Sequence, residues 1–181
     1  MGEVGKESVG VMGQSGSSRI MEQKAVTFLK LGILFLCVNI KIGRWDILPD
    51  FAGVLLLAAS IECHAVRTEA EEKIRMLFLL LSADLFLHWI VDFENRLEGM
   101  LFTAVYCYAM FVLLEEAAER IRSLQPNRAN LMKAAGTGLV LLHTTLYIAS
   151  VYGYEFCYQW LNVFLLMVLV MLFTAVWGIR N

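Results

Sequence analysis

The stretch CYQWLNVFLLMVLVMLFTAVWGI, residues 157–179, contains no charged side chain and decides the fold class. A helix needs roughly 20 apolar residues to cross a hydrocarbon core of about 30 Å. Five further apolar runs precede this one, so the sequence predicts six transmembrane helices, near residues 25–42, 47–66, 74–91, 97–114, 131–151 and 157–179. Because these runs occupy nearly all of residues 23–181, we expect a polytopic, all-α protein folded as a bundle of six transmembrane helices.

The composition also favours a membrane protein. Hydrophobic residues make up 59% of the chain and the mean hydropathy is +0.63, whereas a soluble domain is typically about 45–50% apolar. Residues 1–22 differ, because they are rich in glycine and serine, and they are predicted to form a disordered N-terminal tail. The net charge of −2 offers no basic face for a nucleic acid. The expected partners are the lipid bilayer and, in addition, a protein partner or further copies of this chain.

The basic residues predict how the chain is oriented. Eleven of the fifteen lysines and arginines lie in the N-terminal tail, in two alternate connections and at the C-terminus. Three lie on the opposite side, at Lys41, Arg44 and Arg96, and Lys30 lies inside the first run. The positive-inside rule therefore places both termini in the cytoplasm.

Several helix ends carry recognisable signals. Thr68-Glu69-Ala70-Glu71 fits a capping box that opens the third helix. The fourth helix is predicted to continue past the membrane through Glu115–Arg122, and Pro126 to break the chain before the fifth. Gly153 is predicted to mark the turn that precedes the sixth.

No metal site, cofactor site or set of catalytic residues is predicted. The four cysteines fall on four different predicted helices, without a C-x-x-C pair, at Cys37, Cys63, Cys107 and Cys157. We interpret them as small packing residues.

A stripe of titratable residues is the strongest candidate for function. Asp84 lies about 15 Å into the third helix at 1.5 Å per residue, where a carboxylate costs about 2.5–3.5 kcal/mol on the insertion scale. His88 and Asp92 follow at i+4 and i+8 on the same face. His143 and Tyr106 are predicted at a similar depth, and we hypothesise that one of them hydrogen-bonds Asp84.

Two interpretations of this stripe remain open. The functional one is a proton or cation path, because ionisable residues inside a membrane often mark such routes. The structural one is a set of buried polar groups that holds two helices in register. The first makes the protein a small transporter or channel, and the second suits a scaffold, sensor or subunit that acts through a partner.

The predicted outer loop contains a second group, formed by Asp46, Pro49, Asp50 and Gly53. Pro49 suits the first turn of a helix, and Asp50 follows where the helix dipole favours an anion. Asp50 is therefore interpreted as a helix-capping residue, with cation binding in an acidic vestibule as the alternative.

The same loop carries a resemblance to known proteins. Asn39–Gly43 followed by Asp46–Gly53 resembles a pattern in small, uncharacterised bacterial multi-pass membrane proteins, in which L-P-D-F-x-G opens the second helix. The resemblance implies a bacterial cytoplasmic membrane and brings no activity with it.

A third reading makes the protein an intramembrane hydrolase. Glu115-Glu116-x-x-x-Arg120 is similar to the E-E-x-x-x-R element of intramembrane prenyl-protein peptidases, and His88-x-x-x-Asp92 to their H-x-x-x-[ND] element. The two elements occur here in reverse order, and the glutamates lie at a helix end where such residues are ordinary solvated surface. We therefore expect that the protein is not an enzyme.

Overall fold

The computed structural model describes residues 7–37, 41–42, 45–46, 50–64, 66–90, 96–153 and 155–179. Within them the chain forms six α-helices in the predicted order: α1 Glu7–Cys37, α2 Asp50–Glu62, α3 Glu69–Ile90, α4 Arg96–Ile121, α5 Pro126–Tyr152 and α6 Glu155–Trp177. Two strands of two residues each, β1 Lys41–Ile42 and β2 Trp45–Asp46, form an antiparallel pair between α1 and α2. The predicted all-α fold with six helices is confirmed.

The helices form a closed ring. Each helix packs against the next along the chain, and α1 closes the ring by packing against α6. Successive helices run in opposite directions. We call the end that contains the α2–α3 and α4–α5 turns the basic end, and the end where α2 begins and α5 ends the opposite end.

The tightly packed core fills the half of the ring nearest the basic end. Every helix contributes aliphatic or aromatic side chains to it, among them Leu29, Leu57, Ile74, Phe78, Leu114, Met132 and Val176. Leu57, Phe78 and Leu114 are completely buried. This half of the bundle therefore holds the six helices in place.

Two glycines allow α1 and α2 to approach closely. A Cβ atom on Gly32 would lie 2.7 Å from Leu57 Cδ2 and 3.0 Å from the Gly53 carbonyl oxygen. A Cβ atom on Gly53 would lie 3.2 Å from the Gly32 carbonyl oxygen. Gly53, which the sequence placed in a loop motif, thus has a packing role, because small residues let helix backbones meet.

The helix boundaries differ from the predicted ones at three places. α1 begins at Glu7, inside the segment for which a disordered tail was predicted; the disorder of residues 1–22 stays a prediction. α2 has 13 residues and ends at Glu62, so it is about 20 Å long. α5 begins at Pro126. Proline suits this first helical position, because an N–H there would have no hydrogen-bond acceptor within the helix.

Two of the described helices are long and apolar enough to cross a membrane, over Gly99–Ile121 in α4 and Pro126–Tyr152 in α5. Val163–Trp177 in α6 is a shorter apolar helix. At 13 residues, α2 is shorter than the hydrocarbon core is thick. The predicted ends of α4 and α5 are also present, since α4 extends to Ile121 and Gly153 caps α5 with a φ of 72°.

Candidate functional site

A chamber of about 330 Å³ lies on the axis of the ring, towards the opposite end. All six helices line it, through residues that include Ile33, Val54, Leu85, Met110, Leu139 and Leu172. Small-molecule sites are typically clefts of about 300–1,000 Å³ with mainly apolar walls and a few polar groups. The chamber lies at the small end of that range.

Among the residues that the structure describes, four polar ones reach the chamber wall: Asp50, Thr103, Tyr106 and His143. Asp50 occupies the first turn of α2, where the helix dipole favours its negative charge. Thr103 and Tyr106 lie three residues apart and share one face of α4. The Thr103 hydroxyl donates a 2.8 Å hydrogen bond to the Gly99 carbonyl oxygen, and its oxygen can also accept a hydrogen bond.

Aromatic rings form one side of the chamber. The ring of Phe102 stacks on that of Tyr106, with centroids 6.2 Å apart and an interplanar angle of 7°. The Tyr106 ring also contacts the His143 imidazole, at 5.9 Å and 49°. The prediction that Tyr106 and His143 lie at the same depth is therefore matched by a direct contact between them.

The structure places Asp84 elsewhere. Leu85, and not Asp84, is the residue of this pair that lines the chamber. Successive residues of a helix point about 100° apart, which turns the Asp84 carboxylate away from the axis and leaves its side chain 34% exposed. Asp84 contacts His88, whose Nδ1 lies 3.0 Å from the Asp84 carbonyl oxygen and 3.8 Å from Oδ2. The hypothesis that joined Asp84 to His143 or Tyr106 is corrected accordingly, and Asp92 lies outside the described residues.

The outer-loop group is divided between several roles. Asp46 ends β2, Pro49 lies outside the described residues, and Gly53 belongs to the close crossing of α1 and α2. Asp50 both begins α2 and lines the chamber. The first-turn position expected for Asp50 is present, and cation binding by Asp50 stays a prediction.

An ion pair between a buried glutamate and an exposed arginine lies at the basic end, and the sequence did not predict it. Glu71 is completely buried. Arg120 of α4 donates from Nε to Glu71 Oε1 at 2.9 Å and from Nη2 to Oε2 at 2.6 Å. His64 Nδ1 lies 2.8 Å from Oε1, at an angle outside the hydrogen-bond range, so we treat it as an electrostatic contact.

The predicted capping box holds the same glutamate in place. The Thr68 backbone N–H donates to Glu71 Oε2 at 2.9 Å, and the Glu71 backbone N–H donates to Thr68 Oγ1 at 3.1 Å. The box is confirmed, and its spacing was the available signal for Glu71. The partner Arg120 is 49 residues away along the chain, and no local spacing points to it.

The pKa values of Glu71 and His64 both differ from their ordinary values. Burial raises the pKa of Glu71, but the hydrogen bonds from Arg120 and the Thr68 backbone outweigh it, so the pKa lies below its ordinary value. Burial, and secondarily the positive charge of Arg120, lowers the pKa of His64. The ionised carboxylate and the neutral imidazole are therefore the forms that the fold favours.

Two of the three residues similar to a peptidase element, Glu115 and Arg120, form ion pairs. Lys133 Nζ donates to Glu115 Oε2 and to Glu119 Oε1, each at 2.7 Å. Arg120 is bound to Glu71. Glu115 and Arg120 thus connect α4 to α5 and α3, and the expectation that the protein is not an enzyme stays a prediction.

No protein-family model, no curated protein and no solved structure matches this chain.

Proposed function

We propose that the protein is a small multi-pass membrane transporter that moves a small molecule along the axis of its six-helix ring. The observation that carries the proposal is a second, smaller chamber on the same axis, of about 60 Å³, at the basic end. It is lined by residues of α1, α2 and α4, by His64 just after α2 and by Ile179 just after α6, and its polar wall consists of Ser60, His64 and Arg120.

One layer of packed side chains separates the two chambers. On α4, Met110 lines the first chamber and Leu113 the second, and on α2 the corresponding residues are Val54 and Ser60. At 1.5 Å per residue these pairs are about 5–9 Å apart along the axis. Leu57, completely buried, lies between the two α2 residues. A route along the axis is therefore interrupted over a distance of one or two helical turns.

The ion pair of Glu71 and Arg120 closes the far side of the second chamber. Arg120 lines that chamber and is bound to Glu71 of α3. Opening the basic end requires α3 and α4 to separate at this pair. The axis thus has an apolar barrier in its middle and an ionic barrier at one mouth, an arrangement suited to a transporter that opens to one side at a time.

The outer surface of the bundle supports its place in a membrane. Large apolar side chains on α3, α4, α5 and α6 are more than half exposed, among them Leu80, Leu101, Leu141 and Leu166 at 65%, 66%, 64% and 62%. Soluble monomers rarely expose contiguous apolar patches larger than a few hundred Å². We infer that lipid covers these faces and that α2 is the short member of a six-helix transmembrane bundle.

The orientation follows from charge. The basic end carries Arg67, Arg75, Arg120, Arg122 and Lys133. We propose that this end and both termini face the cytoplasm of a bacterial cell, by the positive-inside rule. The first chamber then faces the outside.

Side-specific cysteine labelling tests the proposal. The four native cysteines are replaced by serine, and one cysteine is introduced at Thr103 in the first chamber or at Ser60 in the second. Membrane-impermeant methanethiosulfonates, one cationic and one anionic, are applied to intact cells and to inside-out vesicles. Leu101→Cys, on the exposed apolar face, is the control, because a thiol in lipid does not ionise and stays unreactive.

A transporter predicts that Thr103→Cys reacts from outside and Ser60→Cys from the cytoplasmic side. The proposal is wrong if neither position reacts from either side, or if both react from the same side alone.

A further inference from the structure

We propose that His64 is a proton-binding site on the transport route, and that a proton bound there opens the basic end of the bundle between two three-helix halves. This inference rests on the proposed function and names the ion that controls the opening of the same route. It follows from the way the six helices pack in two groups, and from one buried carboxylate that lies between a partner in each group.

The six helices pack as two groups of three. Within α1, α2 and α3, and within α4, α5 and α6, each helix packs extensively against the next. The seams between α3 and α4 and between α1 and α6 are sparser. We call the first group the N-terminal half and the second the C-terminal half. Two halves that meet along sparse seams can rock against each other as nearly rigid bodies.

A basic side chain crosses each seam at the basic end. Across the α3–α4 seam, Arg120 of the C-terminal half donates to the Glu71 carboxylate and, from Nη2, to the Val66 carbonyl oxygen at 2.9 Å. Across the α1–α6 seam, Lys30 Nζ donates to the carbonyl oxygen of Ile179, just after α6, at 3.2 Å. Polar contacts therefore hold the two halves together at this end, and a change of charge can alter them.

His64 lies beside the first of these contacts and on the proposed route. It follows the end of α2, lines the second chamber and has a side chain that is 15% exposed. Its Nδ1 lies 2.8 Å from Glu71 Oε1. His64 and Glu71 belong to the N-terminal half, whereas Arg120 belongs to the other. The Glu71 carboxylate thus lies between one cation across the seam and one side chain of its own half that can become a cation.

Protonation of His64 gives Glu71 a second cationic partner. The proton comes from water at the basic end and adds to the ring nitrogen that is bare in the neutral imidazole, so that both nitrogens then carry hydrogen. Among the described residues Glu71 Oε1 accepts one hydrogen bond, from Arg120 Nε, and a carboxylate oxygen can accept two. After a small rotation of the ring, Nδ1 donates to Oε1 and the imidazolium repels the Arg120 guanidinium. The carboxylate then binds within one half and no longer joins the two.

The charges around His64 make the closed bundle a weak proton acceptor. Among the described residues, Glu22 of α1, Glu71 of α3 and Arg120 of α4 act on the imidazole, while Ile179 after α6 is apolar. Burial, and secondarily Arg120, lowers the pKa of His64, and the two glutamates oppose this in part. Separation of the halves admits water and moves Arg120 away, so the open form binds the proton more tightly. Proton binding therefore shifts the population towards the open form.

Distances between pairs of nitroxide labels test the inference in the purified, full-length protein in lipid nanodiscs, with the native cysteines replaced by serine. One pair, at Glu69→Cys and Leu124→Cys, spans the α3–α4 seam at the basic end, where both native side chains are exposed. A second pair, at Ile90→Cys and Met100→Cys, spans the same seam at the opposite end. Double electron–electron resonance is recorded at about pH 7.5 and about pH 5.5, on either side of the ordinary histidine pKa of 6.5.

The fraction of molecules with a lengthened basic-end distance should rise at least about threefold at the lower pH, while the opposite-end distance stays the same or shortens. His64→Gln should remove the response, because glutamine does not titrate. His64→Arg places a permanent cation beside Glu71 and should give the long distance already at the higher pH. His143→Gln is the matched control at the first chamber and should respond like the wild type.

The inference is overturned if the basic-end distance does not change with pH, if His64→Gln keeps the change, or if both distances lengthen together, which marks a general loosening. If His64→Gln does not fold, an unchanged distance in His64→Arg at the higher pH overturns it alone.

Failure of this inference is distinguishable from failure of the proposed function. Labelling of Thr103→Cys and Ser60→Cys from opposite sides, without the distance change, rejects the proton site and supports transport. A distance change that requires His64, without labelling from opposite sides, supports the proton site and rejects transport.

Discussion

Arg120 of α4 donates two hydrogen bonds to the carboxylate of Glu71 of α3, and the Glu71 side chain is completely buried. The pair joins two helices at the basic end, where α3 begins and α4 ends. It stabilises the closed bundle and also forms the barrier that the proposed transport cycle must open.

Loss of this ion pair should destabilise the protein. Arg120→Gln leaves the buried Glu71 carboxylate without its main partner, and we expect the free energy of unfolding to fall by about 2–3 kcal/mol. Thermal or denaturant unfolding in mild detergent measures the change. Glu69→Gln is the control, because its ion pair with Lys73 is 85% and 71% exposed and should contribute almost nothing. Equal losses in the two variants would contradict the account.

The stability should fall as the pH is lowered below neutrality. Burial lowers the pKa of His64 below 6.5 in the folded protein, so the unfolded chain takes up this proton first as the pH falls. The contribution of neutral His64 to the stability is therefore fully present above about pH 6.5, and it is lost as the pH falls from there to the folded pKa. His64→Gln should flatten this part of the pH profile. A profile unchanged by His64→Gln would show that another group is responsible.

A second loss of stability belongs to Glu71. Its folded pKa lies below 4.5, since hydrogen bonds to the charged form outweigh burial. Its contribution is present above about pH 4.5 and disappears as the pH falls through the folded pKa. In Glu71→Gln the unfolding midpoint should be lower at neutral pH and should vary less below pH 4.5 than in the wild type. An unfolding midpoint that declines equally in both proteins would refute this assignment.

The close crossing of α1 and α2 should not tolerate a methyl group. Gly53→Ala places a Cβ atom within 3.2 Å of the Gly32 carbonyl oxygen, and overpacking of this kind typically costs about 1–3 kcal/mol. Gly99→Ala is the matched control in α4, where a Cβ atom meets nothing within 4 Å. That variant should be neutral or about 0.5–1 kcal/mol more stable, because alanine favours a helix over glycine. Comparable destabilisation by both substitutions would argue against the crossing.

Removal of Leu57 should join the two chambers. In the Ser60→Cys background, Leu57→Ala should let an impermeant thiol reagent reach the cysteine from the outside, in addition to the cytoplasmic side. The cavity should also cost about 2–5 kcal/mol of stability. Ile74→Ala, in an equally buried α3 position, should cost a similar amount without opening the route. If Leu57→Ala does not increase the labelling of the cysteine from the outside, the barrier between the two chambers lies elsewhere.

The sequence predicted those features that depend on neighbouring residues. Six apolar runs gave six helices, and the Thr68–Glu71 spacing gave the capping box, because both patterns act within a few residues. The pair of Glu71 and Arg120 depends on how α3 meets α4, and this distance is set by packing of the entire ring. It could not be read from local spacing.

Asp50 lines the chamber and Asp84 does not, which shows a related limit of the sequence-based prediction. α3 is apolar on most of its surface beyond the first turns, so periodicity does not show which face is turned to the axis. The sequence predicted how deep Asp84 lies along α3, but it did not predict in which direction around the helix axis the side chain points. Asp50 was recognised as a first-turn residue, and its place at the chamber depends on the close approach of α1 and α2.

Labelling of a single introduced cysteine from each side of the membrane tests the central claim most directly. In the protein whose four native cysteines are replaced by serine, the account predicts that Thr103→Cys reacts with an impermeant thiol reagent from outside intact cells and that Ser60→Cys reacts in inside-out vesicles. Reaction of both cysteines from the same side alone, or of neither from either side, would contradict it.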